Sequence, residues 1–216
     1  MTAAARPTRN EPAKSRGPAI ARLPFFESAP AIVAAIRAGQ PAGGAALYDQ
    51  YHDHVRRVLV RVLGPDAELR DLIQDVFLEA IDSIDSLEEP EALRGWLSTI
   101  AVFRARAEIR RRTRSRWFPL FSNERLPEVA APVATPEVDE AVRATYLALS
   151  KLPAEERIMF ALRFIDGMQV ADVAETCRVS LATVKRRLTR AQKRFVAIAK
   201  NVPEIADWLQ GGTRWT

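Results

Sequence analysis

The chain has 216 residues, with 32 Lys and Arg against 27 Asp and Glu, two His, one Cys and a net charge of +5. At roughly 150 residues per domain this makes one or two domains, and a composition 48% hydrophobic and 27% charged is that of an ordinary globular protein. One cysteine excludes a disulfide framework or a cysteine-built zinc site and fits a reducing compartment, two histidines leave little for a metal centre, and the longest apolar run, Ala29 to Ile36, is far too short to cross a bilayer.

Residues 1–28 combine Pro, Ala and Arg with neither a helical period nor the apolar core of a signal peptide, which predicts a disordered extension. A short helix is expected from Pro30 to Arg37, ending near Gly39. A longer one, about Ala45 to Leu63, carries Leu47, Tyr51, Val55, Val58, Leu59 and Val62 at three-to-four spacing and stops at Gly64-Pro65. The next, about Glu68 to Ile84, sets Leu72, Ile73, Val76, Phe77, Ala80 and Ile81 on one stripe. A loop around Glu88 to Glu91 leads to a fourth helix, about Leu93 to Arg112, with Trp96, Leu97, Ile100, Ala101 and Ile109 inward. Residues 113–135 hold Pro119, Pro127 and Pro132 without a helical period and read as a linker. Thr135-Pro136 has the form of an N-cap and first helical residue, and helices follow at about 136–150, 154–165, 170–176 and 181–199. The expected fold is all-α: two small helical domains, 29–112 and 136–200, on a flexible linker at 113–135, with a tail over 201–216. Within that tail Pro203 to Leu209 suggests a further short helix.

Charge is unevenly placed. Residues 44–92 hold 12 acidic and 4 basic side chains, residues 93–117 hold 8 arginines against Glu108 alone, and residues 171–216 hold 9 basic and 4 acidic groups. Basic blocks suit nucleic acid; a separate acidic block points to a second kind of partner.

The sharpest local pattern lies near the C-terminus. Val170, Val173 and Ala174 mark a short helix, Cys177 to Val179 a tight turn, and Ser180 the N-cap of a longer helix, which is helix-turn-helix spacing. With Val184 and Leu188 inward, Thr183, Lys185, Arg186, Arg187 and Arg190 are available to a major groove. The alternative is a solvated basic helix on an unrelated bundle. His52 and His54, two apart on a helix, diverge and make a poor metal pair, and Cys177 is expected to be buried packing. No nucleophile–base pair, paired catalytic carboxylates or phosphate loop is found, so no catalytic residue, cofactor or metal is assigned.

Residues 152–194, LPAEERIMFALRFIDGMQVADVAETCRVSLATVKRRLTRAQKR, closely resemble the promoter-recognising domain of bacterial sigma-70-type factors. LYDQYHDHVRRVLVRVLG (47–64), DLIQDVFLEAIDSIDSL (71–87) and LRGWLSTIA (93–101) resemble the other conserved sigma domain, in the same order. With no third domain between them, the layout is similar to the extracytoplasmic-function group. The resemblance implies a cytoplasmic, non-enzymatic initiation factor with core RNA polymerase, promoter DNA and an anti-sigma factor as partners, and no membrane insertion. It places Asp71, Gln74, Asp75 and Glu79 in the helix that docks on core polymerase, the acids at i, i+4 and i+8. It places Arg94, Phe103, Arg106 and Arg110 in the segment that captures and melts the downstream, −10-type element, the arginines as cations along the strand and Phe103 as a stacking or core aromatic. The upstream, −35-type element falls to Ser180, Thr183, Lys185, Arg186, Arg187 and Arg190.

The chain departs from the family pattern at three points. The loop 87–91 is acidic where members often carry a small, partly basic loop. Val102-Phe103 replaces a common Arg-Asn pair. Arg178 stands where the turn often has glycine; a left-handed conformation would be uncomfortable for it, so a slightly different turn is expected. Arg104 and Glu108, four apart, are expected to pair. The competing reading is a stand-alone helix-turn-helix regulator, which would need no acidic docking helix.

Overall fold

A computed structural model of the chain describes residues 26, 28–64, 68–117, 136–203 and 205, with the backbone alone at 115–117 and 136–139. The expected extension apart from Phe26 and Ser28, the linker beyond Trp117, the Thr135 cap, and Trp208 and Leu209 of the suggested tail helix lie outside the described residues.

Eight α-helices account for the described architecture, and no strand occurs among these residues. The first, α1 (Ala29–Arg37), is capped by Ser28, whose hydroxyl accepts from the Ala31 amide. The second, α2 (Pro41–Leu63), starts four residues earlier than its apolar spacing suggests, because Pro41 opens the helix and Gly43 lies inside it. A Cβ on Gly43 would stand 2.8 Å from the Ile36 nitrogen, so the absent side chain lets α1 and α2 touch backbone to backbone. Helix α2 ends at Gly64, at φ +82°, with the Tyr146 ring packed where a Cβ would point.

Helix α3 (Leu69–Asp82) buries Ile73, Val76, Phe77 and Ala80. Ile81, expected inward, is exposed. Short 3-10 turns at Ile84–Ser86 and Pro90–Ala92 bracket the buried Leu87, and Arg37 donates to the carbonyls of Ile84 and Leu87, tying the acidic loop to α1. Helix α4 (Leu93–Trp117) continues five residues beyond its expected end, into the segment read as linker. Its Leu93, Leu97, Ile100, Ala101, Val102, Ala105 and Ile109 are buried, and Trp96 is half-buried against the core.

In the second half, α5 (Pro136–Ser150) precedes α6 (Ala154–Phe160), which runs on as a π-helical turn, Ala161–Ile165. Helix α7 (Val170–Cys177) and α8 (Leu181–Ala199) complete the helix-turn-helix, with Val184, Leu188, Ala191, Phe195 and Ala199 on the buried face of α8. Ile205 is buried against a cluster formed by α5, Phe160 and the C-terminal part of α8.

The two halves pack on one another. Ile158, Met159, Leu162, Val173, Cys177, Val184 and Leu188 belong to the same buried cluster as the cores of α1 to α4. Helices α6 and α7 lie against α4, and the π-helical turn lies against α2.

Candidate polymerase and nucleic-acid interfaces

Asp71, Gln74 and Asp75 are exposed on the outer face of α3. Glu79 is half-buried and accepts from Arg104 Nε on α4, whose Nη1 is 3.9 Å from Asp75. The expected Arg104–Glu108 pair is therefore not formed. Glu108 instead accepts from Arg111 and Arg112, which also reach Glu68. A glutamate set three and four residues before its arginines has the better orientation along a helix. Burial alone would raise the Glu108 carboxyl, but the hydrogen bonds and charges of Arg111 and Arg112 outweigh it and hold it at about 2.

Helix α4 divides its candidate residues. Arg94, in the first turn, donates from Nε to His54 Nδ1 at 3.3 Å, and His54 Nε2 lies 2.8 Å from Ser98 Oγ. The proton positions follow from these partners: Nδ1 accepts, so Nε2 carries the hydrogen, and Ser98 donates onward to the Arg94 carbonyl. Burial and the charges of Arg94 and Arg57 lower the His54 pKa, which keeps that ring neutral. Phe103, Arg106 and Arg110 lie two to four turns further on and face the second half. The Arg106 guanidinium stands 4.7 Å from the Phe103 ring centroid, and Arg178 stands 5.6 Å from it. Arg106 Nε is 2.8 Å from Glu155 Oε1, in ion-pair contact but not aligned as a hydrogen bond. Arg110 reaches the same oxygen at 3.4 Å.

On α8, Ser180 Oγ accepts from the Thr183 amide and lies 2.9 Å from Thr183 Oγ1, which fixes the helix start. Lys185 and Arg186 are exposed. Arg187 donates to Glu155 Oε2 at 3.1 Å, while Arg190 and Arg194 pair with the buried Glu156. The preceding turn adopts the left-handed conformation after all, with Arg178 at φ 52° and ψ 51°, so the expectation of a different turn is corrected. Cys177 is buried, which pushes its thiol up to about 11 and makes it inert packing.

Two family patterns match the chain: sigma-70 region 2 over residues 47–115 and sigma-70 region 4 over residues 143–195. The ECF RNA polymerase sigma factor SigX of Bacillus subtilis is 28% identical over 153 residues, covering 68% of this chain and 78% of SigX. The chain belongs to the sigma-70 family, in its extracytoplasmic-function group. ECF SigE of Mycolicibacterium smegmatis is 29% identical over 170 residues, covering 74% of this chain and 63% of SigE, and the Escherichia coli K12 ECF sigma-E factor is 25% identical over 171 residues, covering 75% and 89%. Among solved structures, CnrH in complex with the cytosolic domain of CnrY has a TM-score of 0.52 at 20% identity, covering 77% of this chain and 94% of that one. RpoE of Bartonella quintana in complex with the anti-sigma factor NepR has a TM-score of 0.51 at 23% identity, covering 72% and 95%, so both share the fold.

In this sigma factor Asp71, Gln74 and Asp75 lie together on one open face of α3, Glu79 is turned toward Arg104 at its edge, and the α8 candidates lie along one helix. The α4 candidates do not form a single patch, since Arg94 is held by His54 about 13 Å along the helix from Phe103. Sequence reasoning missed His54 as the group that holds Arg94, Glu155 and Glu156 as the acceptors of the basic helices, and the exposed Tyr48, Leu78 and Ile81 beside the acidic stripe of α3. Leu78 and Ile81 were detectable, because they lie outside the arc defined by Ile73, Val76, Phe77 and Ala80. Glu155 and Glu156 carry no such signal, because their partners are 32 or more residues away in sequence. Among the described residues no group of His, Cys, Asp and Glu is arranged to hold a metal, and no helix is long and apolar enough to cross a membrane.

Proposed function

We propose that this sigma factor is a dissociable cytoplasmic subunit that binds core RNA polymerase, recognises −10-type and −35-type promoter elements and starts transcription, leaving catalysis to the polymerase. The outer face of α3, with Asp71, Gln74 and Asp75 beside exposed Leu78, is the core-binding surface. Acidic groups there steer a basic partner helix, and the apolar side chains give it contact area. Arg94, Phe103, Arg106 and Arg110 serve the downstream element; Ser180, Thr183, Lys185, Arg186, Arg187 and Arg190 serve the upstream one. An anti-sigma factor is a further partner, by extension from the bound NepR of the Bartonella protein.

The observation that carries this reading is the joining of two different surfaces in one chain: an exposed acidic helix in the first half and a Ser180-capped basic helix in the second. Run-off transcription with purified core polymerase over a promoter library tests it. Transcripts that require this protein support the reading. Sequence-specific DNA binding that neither needs nor recruits core polymerase would make the chain a stand-alone helix-turn-helix regulator instead.

A further inference from the structure

We propose that Leu181 and Ala182 read a thymine methyl group in the upstream element, and that α8 distinguishes bases only through thymine and guanine. This specificity deepens the promoter-binding reading given above and rests on it. Leu181 is the first residue of α8 after the Ser180 cap and keeps 43% of its surface exposed, whereas Val184 and Leu188, one and two turns on, keep 0% and 6%. It is the large apolar side chain of α8 that the domain leaves uncovered. Ala182 is exposed beside it, on the side of the helix opposite Val184 and Leu188.

The other exposed side chains limit what the helix can distinguish. In the major groove a carboxylate accepts from cytosine N4, Asn or Gln pairs with adenine, Arg or Lys pairs with guanine, and an apolar group meets the thymine methyl. Helix α8 contains no Asp, Glu or Asn, and its one amide, Gln192, is half-buried and about 16 Å along the axis from Leu181. Thr189 donates its hydroxyl to the Lys185 carbonyl at 3.0 Å and so brings no donor to a base edge. Two of the four pairings remain: exposed Lys185 and Arg186 for guanine, Leu181 and Ala182 for the methyl.

Their place on the helix suits the contact. Both apolar residues stand in the first turn, where a recognition helix meets base edges, and side chains tilt toward the helix N-terminus, which carries Leu181 ahead of the cap. Lys185 follows Leu181, and Arg186 follows Ala182, by four positions on the same face. Each pair spans about 6 Å along the axis, about two base-pair steps at ~3.4 Å each. The thymine and guanine contacts should therefore be near neighbours in the element.

The test uses holoenzyme, assembled from core polymerase and the full chain, on the upstream element that a promoter library selects. Each thymine of that element, on either strand, is replaced in turn by deoxyuridine, which keeps the base pair and removes only the methyl. Competition binding by the wild type should weaken about fourfold at one or two positions, the worth of burying one methyl group, and should not change when deoxyuridine is placed in the spacer. L181A should shrink that difference to less than about twofold, while L181M, which keeps an apolar side chain of similar volume, should retain it. A selected element without thymine, the lack of any methyl-sensitive position, or undiminished sensitivity in L181A overturns the contact. If L181A loses its helical circular dichroism, A182S decides by the same ratio. A library that yields no upstream preference overturns the promoter reading on which the contact rests, whereas a preference without methyl sensitivity overturns the contact alone.

Discussion

Arg157 of α6 donates from Nε to the carbonyl of Val62 across 2.9 Å, reaching from the second half of the chain to the last turn of α2. Its other arm takes the Leu63 carbonyl at 3.0 Å, and the Tyr146 hydroxyl approaches that of Arg61 at 3.5 Å. A helix end leaves its final carbonyls without intrahelical donors. Here Gly64 N serves Val60, and side chains more than 80 residues away serve the rest.

Replacing Arg157 with Met keeps bulk in a buried position and strands the Val62 and Leu63 carbonyls. Bonds from a charged donor are worth about 1.5–3 kcal/mol, and an unpaired buried group costs a similar amount. Urea unfolding should show a loss of about 2–4 kcal/mol for Arg157→Met and a smaller one for Arg157→Lys, which keeps the charge but not the fork. A loss below about 0.5 kcal/mol would mean that water serves those carbonyls equally well.

The acidic face of α3 is not uniform. Asp71 and Asp75 are exposed, so reversing them to Lys should cost no more than about 0.5 kcal/mol each, while binding to core polymerase falls sharply in a competition pull-down. Glu79→Lys should destabilise more, because it also sets two cations against each other at Arg104. Wild-type core binding by a folded Asp71→Lys/Asp75→Lys chain would remove α3 from the interface.

Four cations on α8 separate by their surroundings. Lys185 and Arg186 stand in solvent near the helix start, and their Ala variants should each cost about 1–3 kcal/mol on the preferred upstream element and relax its sequence preference. Arg187 and Arg190, paired with Glu155 and Glu156, should act on phosphates, so that Ala there weakens all sequences alike and lowers the salt slope by about one. Holoenzyme binding across a promoter library at several salt concentrations reads both effects. If all four variants leave slope and preference unchanged, α8 is not the reader.

Acid stability should depend on Glu108. Its carboxyl is held at about 2 against 4.5 for an ordinary glutamate, so the folded state binds its proton less readily than the unfolded state. The stabilisation is fully present above about pH 4.5 and is lost as pH falls toward 2. Glu108→Gln should lower stability at neutral pH, and its deficit against the wild type should shrink across that window. A deficit that stays constant from pH 7 to 2 in urea unfolding would refute the assignment.

Much of the helical framework could be read from periodicity. The expected spans for α5 and α8 coincide with the observed ones, since Pro136 and Ser180 mark their starts. Boundaries moved where a local signal was overruled by packing. Gly43, a poor helix former, is admitted to α2 because α1 needs its missing side chain, and Arg178 accepts a left-handed backbone at the turn between α7 and α8. The individual candidates on α3 and α8 were legible as stripes because each belongs to one helix. Their partners were not, because Glu79 with Arg104 and Glu155 with Arg106 and Arg187 are pairings set by tertiary approach, which no spacing within a helix encodes.

The far end of α2 carries one more consequence. A helix gathers about half a negative charge at its C-terminus, and the Arg157 guanidinium sits against that pole. That charge would otherwise face the buried seam between the two halves, so the guanidinium is at once hydrogen-bond donor and counter-charge there. An uncharged donor of the same shape would satisfy the Val62 and Leu63 carbonyls and leave the pole unneutralised.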